Sequence, residues 1–93
     1  MNISKTTIKA ANRLGWDLII NEDEVFGKHI WLCRFNENGE SECEPDISFF
    51  INSDCFTFKE SLSIHQNVIG EIPATIFSEK QFRNVLKYIA ENN

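Results

Sequence analysis

Positive charge is scarce in this chain and absent from its middle. Nine Lys and Arg stand against fourteen Asp and Glu, for a net charge of −5, and none of the nine falls between Phe35 and Lys59. A protein that grips nucleic acid by neutralising phosphates needs a basic face, so direct nucleic-acid binding is not expected. Attraction to anionic membranes is disfavoured for the same reason. The four glycines are isolated, which excludes a Gly-rich phosphate loop. Three cysteines, Cys33, Cys43 and Cys55, are an odd number at spacings of ten and twelve, so they make no disulfide framework and no close zinc-binding pair. No apolar run has the length of a membrane span, and the N-terminus has no signal-like apolar segment. Together these absences predict a cytoplasmic protein with reduced thiols and no membrane association.

What is present is enough apolar material for one core. Residues 1–93 are 42% hydrophobic, with eight Phe and two Trp, which predicts a single domain. The two ends read as helices. Ser4 is placed to cap the first, with Ile3 and Ile8 as a hydrophobic staple, then Ile8, Ala11 and Leu14 on one stripe and Gly15 to end it. Ser78 and Gln81 form a capping box for the second, Phe77 and Phe82 repeat the staple, and Phe82, Val85, Leu86, Ile89 and Ala90 share a face.

Between the helices the period changes to two. Trp16–Asn21 reads as a strand, with Glu22, Asp23 and Glu24 as its turn. His29–Glu37 follows, with Trp31, Cys33 and Phe35 on one face and Ile30 and Leu32 on the other. Asn38-Gly39 predicts a type I′ hairpin turn. The returning strand is acidic first and buried later, through Ile47, Phe49 and Ile51, and Pro45 marks an edge or a bulge. Cys55–Ser61 predicts a fourth strand with Phe56 and Phe58 inward. Leu62–Phe77 is either a fifth strand broken by Gly70 and Pro73 or a packed loop. The order predicts an α+β domain, an antiparallel meander of four or five strands with both terminal helices on one face.

Glu40, Glu42, Glu44 and Asp46 alternate, so in an extended segment all four point one way, roughly 6.6 Å apart. That spacing is comparable to phosphates along a nucleic-acid strand. It predicts a phosphate-like row offered to a basic partner, or else charge that keeps an edge strand soluble. Glu22, Asp23 and Glu24 extend the acidic field if their turn lies at the same end of the sheet. Catalysis by such an open row is not expected, because acid–base carboxylate pairs need a cleft that shifts one pKa. Calcium is disfavoured too, since ligands along one strand diverge.

The remaining chemistry-bearing residues carry no local signature. His29 and Cys33 would lie about 13 Å apart on a strand, too far for a shared metal or hydrogen bond. The cysteines read as buried and inert, and His65 as a surface histidine. Thr7–Gly15 resembles the first helix of helix-turn-helix domains over nine residues, but Trp16 onward reads as strand where a recognition helix would be required. Phe50, Ile30 and Leu32 are expected to form an apolar patch if one sheet face is uncovered, which leaves room for a homodimer.

The sequence therefore predicts a small non-enzymatic protein without metal or cofactor, acting as an inhibitor whose acidic face fills a basic, nucleic-acid-binding groove of another protein. Anti-CRISPR and related anti-defence proteins of phages and mobile elements offer an analogy of size and acidity. A structural assembly module and a small enzyme or metal-dependent protein using Cys33, Cys55 or His65 are the alternatives.

Overall fold

The computed structural model describes residues 1–25, 27–42 and 44–93. Helix α1 (Lys5–Arg13) leads into four antiparallel strands, β1 (Trp16–Asp23), β2 (Gly27–Arg34), β3 (Ile47–Ile51) and β4 (Phe56–Ser61). A short helix α2 (Gln66–Ile69), a two-residue strand β5 (Thr75–Ile76) and helix α3 (Glu79–Asn92) complete the chain. The strands form one sheet in sequence order, β1-β2-β3-β4-β5, with every pairing antiparallel. This is the α+β meander with terminal helices that the sequence predicts.

Each end of α1 has a physical cause. Gly15 takes the left-handed conformation (φ 99°) that stops the helix and turns the chain into β1. Ser4 occupies the N-cap position but its side chain makes no capping bond. Instead, the Glu79 carboxylate accepts from the Ser4 N–H at 2.6 Å and from the Thr7 hydroxyl at 2.9 Å. Arg83 Nη1 in turn donates to the Thr7 hydroxyl oxygen at 3.0 Å. The start of α1 is thus capped by the first turn of α3, a tertiary substitute for the local cap. At α3 the Ser78 cap forms, with the Gln81 N–H donating to Ser78 Oγ. Gln81 Oε1 reaches one residue past the cap and accepts from the Phe77 N–H, a displaced version of the expected capping box. The Phe77–Phe82 staple does not form, because Phe77 is 68% exposed while Phe82 is fully buried.

Both helices pack on one face of the sheet. Trp16 and Leu18 from β1, Ile30 and Leu32 from β2, Ile47 and Phe49 from β3, and Phe56 from β4 meet Ala11, Phe82, Val85, Leu86 and Ile89 in one cluster. Phe82 is the hub, with its ring 5.1 Å from Phe49, edge to face, and 5.0 Å from Phe56. The expected apolar patch of Ile30, Leu32 and Phe50 is corrected here. Ile30 and Leu32 are fully buried beneath the helices, and only Phe50 lies on the opposite face. Alternation holds within each strand, but the register Ile30↔Phe49 sets Ile30 and Phe50 on opposite faces, and that register depends on how the strands pair.

The face away from the helices carries Ile19, His29, Trp31, Cys33, Ser48, Phe50 and Thr57, as the register Ile19↔Trp31↔Ser48 and His29↔Phe50↔Thr57 requires. His29, Cys33 and Ser48 are buried there, whereas Ile19, Trp31 and Phe50 are half-buried. A register shift at Ser48/Phe49 lets Lys59 bulge out of β4, its Nζ 5.8 Å from the centroid of the Phe50 ring. The uncertain Leu62–Phe77 stretch resolves into α2 and β5. Among the described residues, no helix is long and apolar enough to cross a membrane.

Candidate functional site

The described residues of the acidic segment belong to a pinned loop and not to a strand. Residues 35–46 join β2 to β3, and among the described ones a single isolated bridge forms, Phe35↔Ser41. The Gly39 N–H donates to Asn36 O at 3.0 Å, and Gly39 alone takes a positive φ (80°) in this turn. A type I′ turn requires Asn38 to do so as well, so the expected turn type is replaced by one in which Gly39 supplies the single left-handed residue. The Asn36 side chain holds the turn from within, its Oδ1 accepting from the N–H groups of Asn38 (2.9 Å) and Glu40 (3.0 Å). Ser41 Oγ donates to the Asp17 carboxylate on β1, which draws the returning limb back over the sheet. The Glu42 N–H donates to Arg34 O at 2.8 Å.

Asp46 is not part of an exposed row. It is buried, and its carboxylate accepts from Trp16 Nε1 at 3.0 Å and from Ser63 Oγ at 2.5 Å while pairing with Arg34 Nε. Its backbone is also engaged, N–H to Leu32 O and C=O to the Leu62 N–H. The expected four-carboxylate row is thereby corrected to three. Glu40, Glu42 and Glu44 are exposed, and Glu37 at the turn adds a fourth exposed charge that sequence spacing had not singled out. Arg34 is the nearest cation in the chain, and Asp46 already occupies it.

The second acidic cluster lies elsewhere. Glu22 and Asp23 end β1, opposite Lys28 and Gly27, and Glu24 begins the turn into β2. The acidic loop follows the other end of β2, so the length of an eight-residue strand, roughly 23 Å, separates the two clusters. They do not form one surface. The basic charge is segregated as well. Lys5, Lys9 and Arg13 on α1 and Lys80, Arg83 and Lys87 on α3 are six of the nine cations, and Arg13, Arg83 and Lys87 line a groove between the helices with Ala10 and Leu14. Outside these two helices, three cations face twelve carboxylates. The sheet and its loops are therefore far more acidic than the net charge implies.

The other sequence candidates have structural roles. His65 is exposed and caps α2, its Nδ1 accepting from the Asn67 N–H at 3.3 Å. His29 is buried against Trp31, ring centroids 6.0 Å apart. Cys33 is buried on the face away from the helices, and Cys55 is half-buried. Cys43, expected to be buried and inert, lies outside the described residues. Among the described residues, no group of three or more His, Cys, Asp or Glu is arranged to hold a metal ion. The Glu79 carboxylate is held below its ordinary range: partial burial raises its pKa, but the Ser4 N–H, the Thr7 hydroxyl and the Arg83 charge together lower it further. It serves the α1–α3 joint. No family model matches the sequence, and no curated protein or solved structure matches it at a significant level.

Proposed function

We propose that the chain is a non-enzymatic protein-binding inhibitor that offers the loop carrying Glu37, Glu40, Glu42 and Glu44 to a basic groove of another protein. The observation that carries the reading is the combination of exposure and anchoring: four exposed carboxylates ride on backbone fixed by Asn36, by Ser41 to Asp17 and by buried Asp46. A pre-ordered charged loop loses less conformational entropy on binding than a disordered one, so its charge goes into affinity. The partner's groove is one that ordinarily receives nucleic-acid phosphates, and an anti-defence role like that of anti-CRISPR proteins is the biological setting this chemistry suits. Charge of one sign steers encounter, so association should be fast and sensitive to salt.

The test is a pull-down from host lysate at low and moderate salt, comparing wild type with Glu40→Lys/Glu44→Lys. A nucleic-acid-binding protein retained by wild type and lost with the double reversal supports the reading. Retention unchanged by the reversal, or no retained protein, returns the loop to a solubilising role.

A further inference from the structure

The sheet has one long open edge. β5 closes one side with only two residues, whereas β1 on the other side is eight residues long and pairs with β2 without a register shift. Proteins usually blunt such an edge with Lys, Pro, a bulge or a very short strand, because its unpaired N–H and C=O groups template another strand. β1, Trp-Asp-Leu-Ile-Ile-Asn-Glu-Asp, has no Lys, Arg, Pro or Gly and no bulge, and its acidic residues, Asp17, Glu22 and Asp23, flank an apolar centre, Leu18–Ile20. Near its centre Ile20 is 45% exposed and Ile19 is half-buried.

We propose that β1 is a homodimerisation edge, pairing antiparallel with β1 of a second copy to continue the sheet across a two-fold axis. The side chains select the occupant and the register. Residues opposite each other in an antiparallel pair share a face, so a two-fold must pass through a residue. Centred on Ile20, the pairing sets Asp17 against Asp23, like charges directly opposite and destabilising. Centred on Leu18, it sets the Asp17 carboxylate against Ile19 and leaves Asn21–Asp23 unpaired. Centred on Ile19, it brings Ile19 onto Ile19, Leu18 onto Ile20 and Asp17 onto Asn21. The exposed isoleucine is then covered by an apolar partner, and no like charges meet. Asn21 gains as well, because its side-chain amide nitrogen is buried without a hydrogen-bond partner in the monomer, and rotation of the amide turns it to the facing carboxylate. The strand is complementary to itself, which a foreign strand would match only by carrying the same pattern. This proposal does not depend on the acidic loop, which follows the other strand of the hairpin.

Sedimentation of the whole chain across a concentration series is the test, together with Ile20→Lys, Phe50→Glu and single-cysteine cross-linking. Wild type should sediment as a dimer at high concentration and dissociate on dilution. Ile20→Lys should weaken the dimer at least tenfold with an unchanged circular-dichroism spectrum, and Phe50→Glu should not. With Cys33 replaced by Ala and Cys43 and Cys55 by Ser, Ile19→Cys should oxidise to a covalent dimer, because facing Cα atoms about 4.5–5.5 Å apart lie within disulfide reach. Ile20→Cys should not. A wild type that stays monomeric at every concentration overturns the proposal. So does a dimer that resists Ile20→Lys, dissolves with Phe50→Glu, or cross-links at Ile20 in place of Ile19.

Discussion

The indole N–H of Trp16 donates to the Asp46 carboxylate at 3.0 Å, joining the start of β1 to the entry of β3 across the end of β2. Because Arg34 at that end of β2 pairs with the same carboxylate, one side chain ties three consecutive strands at the root of the acidic loop. Arg34 is about half exposed, so its ion pair is screened and adds little, and the buried bonds from Trp16 and Ser63 dominate.

Asp46→Ala should therefore destabilise the fold by about 2–3 kcal/mol, since it strands the buried Trp16 N–H and leaves Ser63 and Arg34 without their acceptor. Asp46→Asn keeps one carbonyl oxygen and should cost less. Glu44→Ala, two residues away and exposed, should stay within about 0.5 kcal/mol of wild type. Urea unfolding monitored by tryptophan fluorescence checks the order. Equal effects at positions 44 and 46 would mean that the buried carboxylate has no anchoring role.

The two sheet faces should respond differently to mutation. Ile30 is fully buried under the helices, and Ile30→Ala should cost about 2–5 kcal/mol through lost burial and the cavity left behind. Phe50 is half-buried on the opposite face, so Phe50→Glu should leave the helical signal intact and shift the midpoint less. If Phe50→Glu unfolded the protein and Ile30→Ala did not, the helices would have to cover the other face.

These two residues also mark where the sequence stops being legible. Alternation within each strand and the helix signals at Gly15 and at Ser78 with Gln81 held, because each depends on a few adjacent residues. The expectation that Ile30 and Phe50 share a face failed on the register between strands, Ile30↔Phe49. Choosing the covered face needs contacts such as Phe82 on Phe49, thirty-three positions apart. The same limit explains Asp46. In sequence it continues a row of alternate acids, and only the approach of Trp16, thirty positions earlier, turns it inward. The helix α2 was missed because four residues carry too little periodicity to register.

Glu79 gives the joint between α1 and α3 a pH dependence of known sign. Its pKa lies below its ordinary value of 4.5, because the bonds from Ser4 and Thr7 and the charge of Arg83 outweigh the opposing effect of burial. A carboxylate with a depressed folded-state pKa contributes stability above its unfolded value, and loses it as pH falls through the folded one. Glu79→Gln should thus be less stable than wild type at pH 7, and the gap should close as pH drops below the ordinary value of 4.5. Chemical unfolding of both proteins between pH 3 and pH 7, values chosen to span about the carboxylate range, reads this directly. A gap that stayed constant would assign the loss to packing and not to charge.

Gly39 tests whether the acidic loop owes its order to the turn. Its φ of 80° suits glycine, and a Cβ there would meet no atom within 4 Å, so Gly39→Ala isolates backbone strain from steric clash. That strain is about 1–2 kcal/mol for an L-residue in the left-handed region. Part of it should be relieved by opening the turn, which breaks the bonds from the Asn38 and Glu40 N–H groups to Asn36 Oδ1. Hydrogen exchange at those two amides should accelerate in Gly39→Ala, while the amides of β3 remain protected. If a loop so loosened still bound a basic partner as tightly as wild type, charge alone would suffice. If affinity fell with all four glutamates still in place, the fixed arrangement of the carboxylates, and not merely their number, would be what the partner reads.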